Sequence, residues 1–134
     1  MQMDKANPLA FLPINFRHEK KFLMQNGIDS WQDIRLITDL EINQFVQKEC
    51  LCTESRFKKI RVIATFILDL NLNPHEAYLL LHSGIPSIEA LSILNPDILE
   101  KKIRRLERIL NTTTQSEINL ALLKKWILKA KNLT

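Results

Sequence analysis

Glycine is nearly missing from this sequence. The 134 residues hold 2, whereas a phosphate-cradling loop of the G-x-G-x-x-G or G-x-x-x-x-G-K kind needs more of them in one place. Nucleotide-binding folds built on such loops are excluded. Cysteine is as scarce. Cys50 and Cys52 form a C-x-C, too few for a disulfide framework and too close for an ordinary disulfide within one helix or tight turn, so a reducing compartment is expected. Long apolar runs are also lacking. The longest, Val62 to Leu68 with Thr65 inside it, falls far short of the roughly 20 residues that span a bilayer. The opening MQMDKANPLAFLPINF carries Asp4, Lys5, Pro8 and Pro13 and no apolar core of a secretory signal. A cytoplasmic protein with no membrane partner is therefore expected. Catalytic signatures are absent as well: there is no G-x-S-x-G, no H-E-x-x-H, and the 15 acids are scattered. No enzyme activity, cofactor or small-molecule substrate is inferred.

What is present is a globular mix with an uneven charge. Hydrophobic residues at 46% and charged residues at 25% suffice for a packed core in one domain, or in two small repeats that share one. The net charge of +4 hides a polarity: residues 101–134 hold nine Lys/Arg against Glu107 and Glu117, a net +7, which leaves −3 for residues 1–100. Such asymmetry points to an acidic partner for the C-terminal part.

Internal similarity is the most informative feature. FLMQNGIDSWQDIRLITDL from Phe22 lies over LLLHSGIPSIEALSILNPDI from Leu79, so that Gly27-Ile28 meets Gly84-Ile85 at an offset of 57. Ser30 meets Ser87 and Ile34 meets Leu91; after a one-residue slip Asp39-Leu40 meets Asp97-Ile98. At an offset of 60, Ile60, Ile63, Phe66, Ile67 and Leu70 meet Leu120, Leu123, Trp126, Ile127 and Ala130. Two units that bury their apolar faces together are implied.

Starts and stops with identifiable chemistry divide each unit into four helices. In the first, a helix over about 17–25 ends at Asn26-Gly27, Ser30 caps a short helix to about 37, Thr38 and Glu41 form a capping box for a third to about 49, and Thr53 caps a fourth over 54–70. In the second, Asn73-Pro74 opens a helix to His82 that Gly84 ends, Ser87 caps a short helix, and Asn95-Pro96 opens a helix to Leu110. Leu99, Ile103, Leu106 and Leu110 make its inward stripe; the polar NTTTQS at 111–116 precedes a last helix to about Lys131. No segment combines period-2 alternation with hairpin turn residues. The fold expected is all-α: an N-terminal arm over 1–16, a first helical repeat over 17–72 and a second over 73–134, packed into one compact body. Leu9, Phe11, Leu12, Ile14 and Phe16 could anchor the arm; Trp31 and Trp126 read as core.

The unit formed by a helix, an h-G-I-x-S hairpin and a second helix resembles the helix-hairpin-helix motif and its SAM-like relatives. That resemblance implies hairpin N–H groups, with the start of the following helix, holding a phosphate. The hairpins here are Asn26, Gly27, Ile28, Asp29 and Ser83, Gly84, Ile85, Pro86. Both lack the second glycine of the G-h-G pattern; Asp29 adds a negative charge, and Pro86 has no N–H to donate. LPINFR at 12–17, NGIDSW at 26–31, SRFKKIR at 55–61, HEAYLLLHSGI at 75–85, IRRLERIL at 103–110 and LLKKWILKAKNL at 122–133 are similar to an uncharacterised bacterial and cyanobacterial family with tandem units of this kind, a domain of unknown function. That similarity implies no activity for particular residues.

The candidate binding residues are cations. Lys101, Arg104, Arg105 and Arg108 fall at i, i+3, i+4 and i+7 on one face of a helix, opposite its apolar stripe, with only Glu107 expected nearby; Lys125 and Lys129 extend the field. Lys58 and Arg61 are a weaker version in the first unit. A solvated helix face accounts for such a pattern as well as an anion site does. Cys50, Cys52, His75 and His82 do not have a zinc spacing, so no metal is expected. Two functions stay open: an adaptor docking an acidic protein surface, or a module holding nucleic-acid backbone without base readout.

Overall fold

The computed structural model describes residues 12–110 and 118–134. Among these residues are eight α-helices and no strand: α1 (Arg17–Gln25), α2 (Trp31–Arg35), α3 (Asp39–Lys48), α4 (Glu54–Leu70), α5 (Pro74–His82), α6 (Ile88–Ser92), α7 (Pro96–Leu110) and α8 (Leu120–Leu133). The protein is all-α. Contacts divide it into two compact units between Asp69 and Leu70, within the last turn of α4 and a little ahead of the 72/73 boundary.

Chain direction in the first unit is set at the end of α1. Its last carbonyls would face water unpaired; instead the Gly27 N–H donates to the Met24 carbonyl at 3.2 Å and the Ile28 N–H to the Leu23 carbonyl at 2.9 Å. This double closure needs a left-handed residue between the two amides, and Gly27 supplies it with φ 75°. Ser30 then accepts from the Asp33 N–H at 3.1 Å to start α2, and Thr38 and Glu41 complete a reciprocal capping box that starts α3. Ahead of α1, Leu12 and Phe16 are buried around a 3-10 turn, Ile14–Phe16, while Ile14 faces solvent. Phe16 is thus a core residue of this unit rather than part of an arm. Leu9 and Phe11 lie outside the described residues.

Three rings join the helices of this unit. Phe22 of α1, Phe45 of α3 and Phe57 of α4 stand with centroids 4.9, 5.5 and 6.0 Å apart in tilted and edge-on arrangements, a geometry that adds to the burial of their area. The polar tie is less expected. Glu19 of α1 is 0% exposed; its carboxylate accepts from the Thr53 N–H at 2.8 Å and from Arg56 Nε at 3.0 Å. Thr53 caps α4 by accepting from the Arg56 N–H at 3.2 Å. A capping box would take the Thr53 N–H with an acidic side chain at position 56, where an arginine stands. A carboxylate from another helix fills that role and so fixes α1 against the start of α4.

The second unit repeats these devices in its own residues. The Gly84 N–H donates to the Leu81 carbonyl at 3.1 Å and the Ile85 N–H to the Leu80 carbonyl at 3.2 Å, with Gly84 at φ 96°. Ser87 accepts from the Ala90 N–H at 3.1 Å. The bounds of α1 and α2 and the start of α3 recur in α5, α6 and α7 at an offset of 57. Thr38 and Asn95 are therefore equivalent N-caps, and the one-residue slip between Asp39 and Asp97 drops out. Between α4 and α8 the offset of 60 sets the buried Ile63, Phe66 and Leu70 against the buried Leu123, Trp126 and Ala130, whereas the starts of these two helices lie further apart. Their N-caps are Thr53 and Asn119, 66 apart, each preceded by a buried residue, Cys52 or Ile118, and followed by a buried Phe57 or Leu123. Helix α8 packs against α6 and α7, and α5 against α7, around Leu79, Leu99, Ile103, Leu123 and Trp126. Of the expected α7 stripe, Leu99 and Ile103 are buried, Leu106 is half-buried and Leu110 is exposed. Trp31 is half-buried.

Glu19 and Glu76 occupy the same place in the two units and do different work. Glu76 closes a capping box with Asn73 inside its own helix, its carboxylate accepting from the Asn73 N–H at 3.0 Å. Glu19→Ala strands a buried N–H and the Arg56 guanidinium and is expected to cost on the order of 3 kcal/mol. Glu76→Ala removes one exposed cap bond and is expected to cost about 1 kcal/mol. Denaturant melts of the two variants check the difference; equal losses would show that Glu19 ties nothing together.

Candidate functional site

The hairpins are the first place where an anion would be held, and six of their amides are already committed. In Asn26, Gly27, Ile28, Asp29 the N–H groups of residues 26, 27 and 28 all donate back into α1; in Ser83, Gly84, Ile85, Pro86 those of 83, 84 and 85 donate back into α5. Pro86 has none to offer. The Asn26 side chain adds a further bond to the Phe22 carbonyl at 2.8 Å. Ile85 is buried and Ile28 half-buried, so these turns close helices and contribute apolar side chains to the packing. The helices that follow, α2 and α6, are five residues each, a single turn and a half with little aligned dipole to attract a charge.

In the first unit four basic residues, Arg35, Arg56, Lys58 and Arg61, are locally neutralised, while Arg17, Lys20, Lys21, Lys48 and Lys59 make no ion pair with a described residue. Arg61 donates to the Ile37 carbonyl at 2.9 Å and pairs with Asp39 at 2.7 Å, which holds the Asp39 carboxyl below its ordinary range. Lys58 pairs with Glu54 at 2.9 Å, and that carboxylate raises the lysine's pKa. Arg35 pairs with Asp69, and Arg56 with Glu19. Burial, reinforced by the Glu19 charge, pushes the Cys52 thiol up to about 11, which keeps it protonated; Cys50 is exposed, and both are free thiols.

In the second unit a single cation of α7 and α8 is paired. Arg104 pairs with Glu107 at 2.8 Å and more distantly with Glu100 at 3.9 Å, and it donates to the Ile118 carbonyl just before α8. Arg104 therefore joins α7 to the start of α8 and leaves the proposed partner face; Glu100, four residues before it, is a counter-charge beside the expected Glu107. Lys101, Lys102, Arg105 and Arg108 of α7 and Lys124, Lys125 and Lys129 of α8 are exposed and make no ion pair with any described residue. Apolar side chains stand among them. Ile98, Lys102, Arg105 and Ile109 follow one another at helical spacing along α7, with Ile98 50% and Ile109 70% exposed; Leu128 of α8, between Lys124 and Lys129, is 60% exposed. This is a surface of cations interleaved with apolar groups.

Among the described residues no group of three or more His, Cys, Asp and Glu side chains is arranged to hold an ion. His82 lies against Tyr78, ring centroids 4.0 Å apart, with Nδ1 3.2 Å from the Tyr78 carbonyl, at the end of α5; burial raises the Tyr78 pKa. A cleft of about 140 Å³ in the first unit is lined by His18, Lys21, Phe22, Gln25, Glu49 and Leu51, and its Glu49 opposes the cations for any anion. No helix among the described residues is long and apolar enough to cross a membrane.

The family described as Domain of unknown function (DUF4332) matches residues 13–133. This chain belongs to the DUF4332 family. The match takes in both units and every helix from α1 to α8, so the hairpins and the basic surface lie within the family's domain. No curated protein and no solved structure matches the chain.

The two roles assigned to neighbouring arginines separate in a melt. Arg104→Gln loses a charge-assisted bond to the Ile118 carbonyl and is expected to cost about 1.5 kcal/mol. Arg105→Gln, with no partner among the described residues, is expected to stay within about 0.5 kcal/mol of the wild type. Equal stability of the two variants would place Arg104 back among the free surface cations.

Proposed function

We propose that this DUF4332 chain is a non-enzymatic, cytoplasmic interaction module whose second-unit surface docks an acidic, amphipathic protein segment. The observation that carries the reading is the interleaving on α7 and α8. Ile98, Ile109 and Leu128 are exposed among Lys101, Lys102, Arg105, Arg108, Lys124, Lys125 and Lys129. A phosphate backbone complements the cations and leaves the apolar groups wet, whereas a segment alternating acidic and apolar side chains complements both. The commitment of the hairpin amides to their own helices supports the same choice over backbone binding. We read each unit as a helix-hairpin-helix-like, SAM-like repeat of four helices, supported by the return of helix bounds, left-handed glycines and serine caps at one offset; in this reading the hairpins are scaffold.

Binding of a helical peptide of alternating Glu and Leu faces, compared with poly-glutamate and with single- and double-stranded oligonucleotides, tests the proposal. The amphipathic peptide is expected to bind most tightly. Replacing Lys101, Arg105 and Arg108 together by glutamine is expected to weaken it about tenfold, three exposed ion pairs together contributing about 1.4 kcal/mol, with the helical circular dichroism unchanged. Tighter binding of oligonucleotides, with a steep salt dependence and no preference among sequences, would instead establish the nucleic-acid reading.

A further inference from the structure

The first unit carries a surface of the opposite kind. Residues 29–47 hold Asp29, Asp33, Asp39 and Glu41 against one cation, Arg35; Arg35 is occupied by Asp69 and Asp39 by Arg61. Asp29 and Asp33 are exposed and make no ion pair with a described residue. Beside them, at the turn from α2 to α3, Leu36 is 73% and Leu40 68% exposed. Leu36 is three residues from Asp33 and Leu40 one from Asp39, so acids and apolar groups share one short stretch. One chain thus displays an acidic surface with two large leucines and a basic surface with isoleucines and a leucine, both open to solvent.

We infer that the acidic surface around Asp29, Asp33, Leu36 and Leu40 docks the α7–α8 basic surface of a second copy of this chain. The inference rests on the proposed function and names an occupant for that site. Charge complementarity selects the second copy: the exposed Asp29 and Asp33 and the exposed cations of α7 and α8, none of them in an ion pair with a described residue, give unlike surfaces that attract across copies, while like surfaces repel. Each surface also brings the large apolar side chains that a contact must cover to hold. A contact between unlike surfaces is heterologous; it closes when each of two copies gives both surfaces to the other and otherwise grows into a chain. Resting on few residues, it is salt-sensitive and dissociates on dilution.

Sedimentation velocity of the full chain over a range of concentrations, at low and high salt, is the test, with two charge-reversal variants. Asp29→Lys with Asp33→Lys reverses the acidic surface; Lys101→Glu with Arg105→Glu reverses the basic one. None of these four side chains makes a bond across helices, and circular dichroism verifies each fold. The wild type is expected to associate at low salt and dissociate at high salt, each variant alone to remain monomeric, and an equimolar mixture of the two to associate again, because reversed surfaces then meet their complements. A wild type that stays monomeric throughout overturns the inference, as does one whose variants associate undiminished. Peptide binding separates the two claims: a monomeric wild type that still binds the Glu/Leu peptide loses only the second-copy occupant, and one that binds neither loses the docking surface itself.

Discussion

The left-handed glycine after α1 and after α5 is the constraint on which the rest depends. Without a Cβ, Gly27 and Gly84 take φ 75° and 96° at no steric cost, and this lets two successive amides turn back onto the helix each has just left. The chain reverses within three residues, a serine cap starts the next short helix at once, and Ile28 or Ile85 enters the packing. The same bonds decide the chemistry. Amides that satisfy helix carbonyls are not free to surround a phosphate, and a turn that resembles an anion-binding hairpin acts here as a helix closure.

The two units then use their charges differently. In the first, four acids are spent on four bases, Glu19 on Arg56 as well as on the Thr53 N–H, Asp39 on Arg61, Asp69 on Arg35 and Glu54 on Lys58, while Asp29, Asp33 and the cations of α1 make no ion pair with a described residue. The buried Glu19 is the telling member, because a carboxylate removed from water is tolerated only with its hydrogen bonds filled; here an N-cap amide and a guanidinium fill them, and the start of α4 is fixed in place. In the second, Glu76 has turned to its own helix start, Arg104 ties α7 to the approach to α8, and the remaining cations of both helices stay in water among exposed apolar groups. A difference in pairing between equivalent positions accounts for where charge is left over.

Local chemistry was legible in the sequence. The bounds of α1, α4, α5 and α7 follow from caps, prolines and glycines that act within four residues, and they agree with the structure. Contacts made across the fold were not. The slip between Asp39 and Asp97 followed residue identity, while the backbone follows the caps Thr38 and Asn95. The match of Phe66 with Trp126, both buried, follows the spacing of apolar residues, while the helix starts follow the caps Thr53 and Asn119 at a different offset. The tie from Glu19 to Thr53 and the turning of Arg104 to Ile118 depend on which helices meet, and helical spacing alone placed Arg104 with Lys101, Arg105 and Arg108. A hint for the first was present: His18-Glu19 returns as His75-Glu76, and Arg56 stands where a capping box would carry an acid. Asn71, at φ 58° after α4, takes the part of a glycine, and a search for glycines passes over it.

Backbone amide chemical shifts, followed while the labelled full-length protein is titrated with a helical acidic peptide and separately with an oligonucleotide, test the central claim directly. If the hairpins are closures and the α7–α8 surface is the site of recognition, shifts gather at Lys101, Lys102, Arg105, Lys125 and Lys129 and leave the amides of Gly27, Ile28, Gly84 and Ile85 in place. Movement of those four amides with the oligonucleotide, ahead of the α7 and α8 residues, would contradict it.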